Sequence, residues 1–234
     1  MSEDIIKSYL DKQIRYAASK ALNETGKIAI KDLQDEMERV FDRPTPYIKN
    51  GIYKTAATKD NLSIKIAFKD RWAAGKGHAA ADVLYAEVFG GQRQTKAYEV
   101  LLQEKGILPQ GKVTVPGKGQ RLNQYGNITG ARITQILSVL QAHREVGYVA
   151  NRTAQSKARN KKSPDLFYQP ATDELLEGIY ERKSQGRLRS VLLFVDQASY
   201  RPLFPFERII KETFEKNLQN EFDKAIENAI ATAR

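Results

Sequence analysis

Three side chains in the second half of the chain stand in an order that suits hydrolysis of a phosphodiester bond. Asp165 follows Pro164, and one residue separates Glu181 from Lys183. Two carboxylates can hold a divalent metal ion while a lysine assists the attacking water. Alternate residues of a strand point to the same face, so Glu181 and Lys183 would point the same way on a shared strand. Metal-dependent cleavage of nucleic acid is therefore one hypothesis.

The same three residues match the loose order of the PD-(D/E)xK nuclease core. However, a Pro-Asp and a Glu-x-Lys at permissive spacing arise often by chance in a chain of which 28% is charged. Asp165 also borders a basic segment, and the sequence does not predict a strand there. We keep a PD-(D/E)xK-like metal-dependent nuclease as the second alternative and expect a protein that is not an enzyme.

The composition removes most other chemistries. There is no cysteine, which excludes disulfides, iron–sulfur clusters, thiol catalysis and cysteine-based zinc sites. The two histidines, His78 and His143, lie far apart in sequence. We expect no catalytic residue, no metal site and no cofactor. No window holds 18 consecutive apolar residues, so we also expect no membrane-spanning segment.

The positive charge is concentrated in one segment. Residues 105–162 hold 11 lysines and arginines but a single acid, Glu145. The net charge of this segment is therefore +10, equal to that of the whole chain. Such a segment suits a phosphate backbone or an acidic face on a partner protein, and it is also compatible with a solvated loop. The residues that we expect to face DNA or a partner are Arg144, Arg152, Lys157, Arg159, Lys161 and Lys162.

Within that segment, residues 151–163 have almost no apolar character. They contain five positive charges and no acid. A stretch of this composition cannot bury enough apolar surface to fold alone. We expect a loop, or a helix that becomes ordered only against a partner.

Hydrophobic periodicity predicts the elements around these residues. Apolar residues recur every three or four positions through the first forty residues, which predicts one long helix with a kink at Gly26. Pro44 and Pro46 end it, and Thr45 caps a short helical turn. Two hairpins are predicted, at 52–57 with 62–68 and at 177–183 with 188–196. Two internal helices are predicted at 94–105 and 130–146, with a short strand at 112–115.

The chain closes with a helix from about Pro205 to Ala233 that carries an apolar residue at every fourth position. These residues are Phe206, Ile210, Phe214, Leu218, Phe222, Ile226 and Ile230. Each step of four advances about 40° around a helix of 3.6 residues per turn, so the stripe turns by about 240°. One flat neighbour cannot cover it. We expect the first three to pack within the chain, and Phe222, Ile226 and Ile230 to contact another subunit.

These elements predict a single α+β domain over residues 1–234. Long N-terminal and C-terminal helices pack on a small, mostly antiparallel sheet, and a basic, loop-rich insertion covers about 70–165.

Several short strings resemble a known family. Ala21-Leu22-Asn23 lies in the long first helix, and Tyr200-Arg201-Pro202-Leu203-Phe204-Pro205-Phe206 leads into the last. With the Thr-Pro turn and hairpin between them, this organisation resembles the phage minor tail protein Z and related tail-completion (neck) proteins of long-tailed bacteriophages. The centre is similar to phage and prophage proteins that sit among virion genes, through Val88-Phe89-Gly90-Gly91-Gln92-Arg93, Gly106-Ile107-Leu108-Pro109 and Tyr125-Gly126-Asn127-Ile128.

The resemblance implies a structural virion protein without catalytic residues. Such proteins complete the tail at the neck, so that it joins the head connector, and we expect a homo-oligomeric ring between head-connector and tail proteins. The protein would be found in the virion, and in the host cytoplasm during assembly. Its basic loops would face the packaged DNA or an acidic face of the neighbouring ring. The first alternative is a non-catalytic DNA-binding protein.

Overall fold

A computed structural model describes residues 3–70, 79–143, 151–159, 163–197 and 199–232. The fold is α+β, as predicted, with long terminal helices and small antiparallel sheets. The chain forms two compact units. We call residues 1–90 with 201–234 the terminal unit, and Gly91–Tyr200 the middle unit.

Two long helices dominate the terminal unit, α1 (Glu3–Val40) and α7 (Phe206–Ala231). The Thr213 hydroxyl donates a 2.7 Å hydrogen bond to the Asp32 carboxylate. Phe206 and Ile210 pack against a buried cluster that contains Leu33. These contacts place the start of α7 beside the last turns of α1. The extensive packing between the helices then requires α7 to run back along α1, antiparallel to it.

The buried face of α1 is made largely of small residues. Ala17, Ala21 and Ala29 are almost fully buried, and all lie at multiples of four residues from one another. The helix continues through Gly26, and the kink there stays a prediction. A Cβ atom at Gly26 would lie 2.3 Å from Ile64 Cδ1. Glycine therefore serves close packing at this position.

Shorter elements complete the terminal unit. They are α2 (Pro46–Lys49), the antiparallel strands β1 (Ile52–Lys54) and β2 (Ile66–Phe68), and α3 (Ala80–Phe89). The predicted hairpin is confirmed, and so is the Thr45 cap, whose hydroxyl accepts from the Ile48 backbone N–H at 3.3 Å. Helix α3 was not predicted, because glycines on both sides of it obscured its periodicity.

The middle unit contains a four-stranded antiparallel sheet. Its strands are β4 (Lys112–Pro116), β5 (Asp165–Gln169), β6 (Gly178–Arg182) and β7 (Leu188–Asp196), in the order β4-β7-β6-β5. The predicted hairpin of β6 and β7 and the short strand β4 are confirmed. Strand β5 was not predicted. Because β4 pairs with β7, the sheet joins segments from both ends of the middle unit. The bounds of this unit, Gly91–Tyr200, differ from the 70–165 expected for an insertion.

The described residues of the middle unit also form three α-helices and one short strand pair. The helices are α4 (Ala97–Glu104), α5 (Gly130–Val139) and α6 (Ala154–Arg159), and the pair is β3 (Gly91–Gln92) with β8 (Ser199–Tyr200). Leu102, Ile136 and Leu192 belong to a buried cluster formed by α4, α5 and the sheet. Helix α5 ends before the predicted position near 146, because Gln141 adopts a left-handed backbone with φ of 58°. None of the described helices is long and apolar enough to cross a membrane.

Candidate functional site

One buried carboxylate in the middle unit holds three cations. Glu181 is only 5% exposed. Its Oε2 accepts hydrogen bonds from Arg132 Nη2 at 2.9 Å and Arg189 Nη2 at 2.5 Å. Its Oε1 accepts from Lys183 Nζ. We call these four residues the Glu181 cluster; a single negative charge is shared among three positive ones.

The secondary structure brings each member of this cluster to the same place. Glu181 lies on β6 and faces Arg189 directly across the hairpin on β7. Lys183 follows just after β6, and its contact with Glu181 agrees with the prediction that both point the same way. Arg132 stands in the first turn of α5, whose Thr129 hydroxyl accepts from the Arg132 backbone N–H. The N-cap thus fixes where the Arg132 side chain starts.

The cluster keeps Glu181 ionised. Burial by itself raises the pKa of the Glu181 carboxyl, since it disfavours the charged form. The hydrogen bonds from Lys183, Arg189 and Arg132, together with the charge of Arg189, outweigh burial and lower this pKa to about 2. At neutral pH the four side chains therefore carry two net positive charges.

The carboxylate pair of the nuclease hypothesis is not brought together. Leu166 is the cross-strand partner of Glu181, whereas Asp165 is the partner of Arg182. Adjacent residues of a strand point to opposite faces, so Asp165 and Glu181 project from opposite faces of the sheet. Asp165 is exposed and lies 3.8 Å from Arg182 Nη1. Within the described residues, no group of three or more His, Asp or Glu side chains is placed to hold a metal ion.

A pocket of about 700 Å³ opens beside the Glu181 cluster. Two residues, Arg132 and Arg189, belong to both the cluster and the pocket. We call it the arginine pocket, and its lining residues are Gln120, Arg121, Leu122, Asn123, Gln124, Thr129, Arg132 and Arg189. Among the described residues that line it, none is an acid. Seven of its eight lining residues are of a polar or cationic type.

Two glycines allow the loop that forms one wall of the pocket to lie directly against the sheet. A Cβ atom at Gly117 would lie 2.5 Å from the Ser190 carbonyl, and one at Gly119 would lie 2.0 Å from Arg189 Cγ. Farther along the loop, the Asn123 Oδ1 accepts from two backbone N–H groups, those of Tyr125 and Asn127. The loop is thus fixed both to β7 and within itself.

A second buried carboxylate connects two elements of the middle unit through hydrogen bonds. Glu99 on α4 is fully buried and accepts two hydrogen bonds from Arg93, at 2.7 and 2.9 Å. It also accepts from the Thr114 backbone N–H and hydroxyl, both at 2.8 Å. Burial alone would raise the pKa of Glu99, but these bonds and one from the Lys96 backbone outweigh it and lower the pKa to about 2. The network ties α4 to β4 and leaves no space for a ligand.

Three of the six predicted basic residues belong to the part of the chain that the structure describes. Arg144, Lys161 and Lys162 lie outside the described residues. Arg152 donates to the Ser163 hydroxyl at 2.9 Å. Lys157 and Arg159 are exposed on α6, a short helix with none of its residues buried. Residues 151–163 thus include a helical turn, and its dependence on a partner stays a prediction.

Sequence reasoning missed the arginine pocket, although part of the signal was present. The predicted hairpin, with its turn at 184–187, places Glu181 opposite Ser190, one position from the observed pairing with Arg189. A one-residue change of register therefore separates the prediction from the observed cross-strand pair of opposite charges. The approach of Arg132 from α5 depends on tertiary packing, and no local pattern indicates it.

The apolar residues of α7 were predicted to divide between contacts within the chain and contacts with another subunit, and the structure bears on the first group. Phe206 and Ile210 pack on the buried cluster of the terminal unit, which confirms their role within the chain. Phe222 and Ile226 are half-buried, while Ile230 is 64% exposed. On α1, Leu10 and Ile14 are also about half exposed. Contact of Phe222, Ile226 and Ile230 with another subunit stays a prediction.

Comparison of the chain with protein families, with curated proteins and with solved structures finds no match in any of the three.

Proposed function

We propose that the protein is a structural component of a bacteriophage neck or tail, which completes the tail and joins it to the head connector as an oligomeric ring. The observation that carries this proposal is the apolar surface that the two terminal helices leave uncovered. Large apolar side chains are exposed on both helices: Leu10 and Ile14 on α1, and Ile230 on α7.

The geometry of α7 supports contact with a second copy. Its apolar stripe turns by about 240°, more than one packed neighbour can cover. The intrachain contacts partly bury Phe206 and Ile210 in its first turns. Toward its end the same stripe reaches Ile230 with most of its surface exposed. A contact between different surfaces of identical subunits closes into a ring when the rotation closes.

The family resemblance supplies the biological setting of the proposal. It implies neighbouring head-connector and tail proteins, a location in the virion, and passage through the host cytoplasm during assembly. It also implies no catalytic residues and no cofactor. The basic surface of the middle unit would then face packaged DNA or an acidic neighbouring ring.

Sedimentation velocity on the full chain tests the oligomer. Ile226→Asp places a charge in the proposed apolar contact and should reduce assembly while the circular dichroism spectrum is retained. Asn220→Asp adds the same charge at an exposed position of α7 and should assemble normally. If Ile226→Asp assembles like the parent protein, or unfolds the subunit, this role of α7 is wrong.

A non-catalytic DNA-binding protein is the second candidate, and the Glu181 cluster with its net positive charge favours it. Tight duplex binding by the free protein, together with its absence from purified virions, would support this candidate over the structural one.

The nuclease alternative has its own test. Supercoiled DNA incubated with the protein and Mg²⁺ or Mn²⁺ should stay intact, because Asp165 and Glu181 lie on opposite faces of the sheet. Cleavage that disappears in both Glu181→Ala and Lys183→Ala would contradict the structural proposal.

A further inference from the structure

We infer that the arginine pocket binds a phosphate group of a nucleotide or nucleic acid. This inference rests on the middle unit alone. It does not depend on the proposed neck or tail role, since it would stand if the protein failed to assemble.

The first step is the charge at the pocket. Glu181 neutralises one of the three cations that contact it, and two of those cations, Arg132 and Arg189, also line the pocket. Arg121, which also lines the pocket, adds a further positive charge. Its side chain makes no ion pair with any residue in the described ranges. A concave wall with this excess of positive charge attracts an anion.

The second step is the set of hydrogen-bond donors. A guanidinium offers five N–H groups in a planar fork, a geometry that matches phosphate. Arg189 uses Nη2 on Glu181, but its Nε is buried and has no hydrogen-bond partner among the described residues. A buried donor without a partner is uncommon in native proteins. Arg189 therefore retains donor capacity that an anionic oxygen could use after a small movement of the side chain.

The third step distinguishes phosphate from a protein carboxylate. A carboxylate has two acceptor oxygens and one charge, whereas the phosphate monoester of a nucleotide or a strand end has three such oxygens and nearly two charges. A nucleic-acid backbone instead presents a run of phosphodiesters with one charge each. Three arginines line this pocket, more than one carboxylate can satisfy. The Oδ1 of Asn123 is engaged within the loop, so its Nδ2 group is the part of this amide that adds a donor of the kind that reads base edges. A volume of about 700 Å³ lies within the range of small-molecule sites.

The fourth step is preorganisation. Glu181 holds Arg132 and Arg189 in place, and Arg132 is held further by Gln120 and Gln135. Gly117 and Gly119 allow the loop to lie directly on β7. Because these groups are fixed before binding, a ligand loses less affinity to the ordering of side chains.

The test is fluorescence anisotropy on the full chain with a labelled 20-nucleotide single strand and a labelled 20-base-pair duplex. Arg121→Gln should weaken binding about tenfold, since it removes a charge-assisted phosphate contact. Arg121→Lys keeps the charge but loses the fork, and should give an intermediate loss. Arg187→Gln is the matched control, because Arg187 is exposed in the same unit and does not line the pocket. It should change affinity less than twofold.

Two competitors identify the source of the phosphate. Adenosine monophosphate that displaces the DNA from the parent protein, but not from Arg121→Gln, would assign the pocket to a free nucleotide or a strand end. Displacement by unlabelled DNA alone would assign it to the backbone of a polymer. Both outcomes support the inference.

Three outcomes would overturn it. Equal losses in Arg121→Gln and Arg187→Gln would show diffuse attraction to the basic unit without a site. No measurable binding of either DNA or adenosine monophosphate at low salt would also overturn it. Polyglutamate that competes as well as DNA at equal charge would show that the pocket accepts an acidic protein surface. Circular dichroism of each variant confirms that the fold is retained.

Discussion

The two units of this protein handle charge in different ways. The middle unit carries 17 lysines and arginines against nine acids, so it accounts for eight of the ten net positive charges. It encloses two ionised carboxylates, Glu99 and Glu181. The terminal unit is close to neutral, with 21 basic and 19 acidic residues, and relies on apolar packing between α1 and α7.

This difference shows that net charge alone overstates the basic surface available to a ligand. Several cations of the middle unit are bound to acids of the same unit. Arg93 is paired with Glu99 at 2.7 Å, and Lys112 with Glu177 at 2.6 Å. The Glu181 cluster is different, because its cations outnumber the carboxylate that they share. Function is therefore expected where pairing is incomplete.

Acidification should produce the largest contrast between the units. Glu99 and Glu181 each have a pKa of about 2 in the folded protein, below the ordinary value of 4.5. Each stabilises the fold fully above pH 5, and loses about 3 kcal/mol of that stabilisation as the pH falls to about 2. Urea denaturation followed from pH 7 to pH 2.5 measures the effect. Free energies of unfolding that stay flat below pH 5 would contradict it.

Removing the Glu99 carboxylate should be the most damaging single substitution. Glu99→Ala leaves Arg93 without its partner and the Thr114 N–H without an acceptor, which should cost about 3–5 kcal/mol. Urea denaturation at pH 7 measures the loss. Asp173→Ala removes an exposed carboxylate from the same unit and should change stability by less than about 0.5 kcal/mol. Similar effects of the two substitutions would show that the buried network contributes little.

An apolar truncation gives the corresponding test in the terminal unit. Leu33 is fully buried in the cluster that α1 shares with the start of α7. Leu33→Ala should cost about 2–5 kcal/mol because it leaves a cavity, and the loss should be the same at pH 7 and pH 4. Leu203→Ala, in the same unit but 55% exposed, is the control. A strong pH dependence of the Leu33→Ala loss would contradict the contrast between the units.

The smallest effect is expected from exposed ion pairs. Arg208 and Glu212 form a pair at 3.1 Å on α7, with more than half of each side chain exposed. Glu212→Ala should lower stability by no more than about 0.5 kcal/mol, and salt should reduce the difference further. Thermal denaturation of both proteins at a low and a high salt concentration measures the loss of stability and its dependence on salt. A loss above 1 kcal/mol would show that surface charges matter as much as buried ones.

The sequence predicted the elements whose pattern is local and regular. Helices α1 and α7 and the hairpin of β6 and β7 followed from periodicity and turn residues. Strand β5 was not predicted because it begins at Asp165, directly after a segment with almost no apolar character. Helix α5 was predicted too long. It ends near Gln141, which adopts a left-handed backbone, and a glutamine gives no sequence signal for that conformation.

The candidate site was less predictable than the fold. Glu181 and Lys183 were recognised, but as a metal ligand and as the lysine that assists the attacking water. Their partners are separated from them in sequence, Arg132 by nearly fifty residues, and only the packing of α5 on the sheet brings them together. The sequence around a buried carboxylate does not show whether that carboxylate binds a metal ion or arginine side chains. The tertiary neighbours decide between these roles.

Quantitative mass spectrometry of purified virions tests the proposed function most directly. Particles from a host that expresses this chain with its neighbouring virion genes should contain several copies per particle, as a ring requires, and the number should be constant between preparations. Tails from a mutant lacking the chain should fail to join heads. Absence of the chain from intact, infectious particles, while it is abundant in the lysate, would contradict a structural role in the neck or tail.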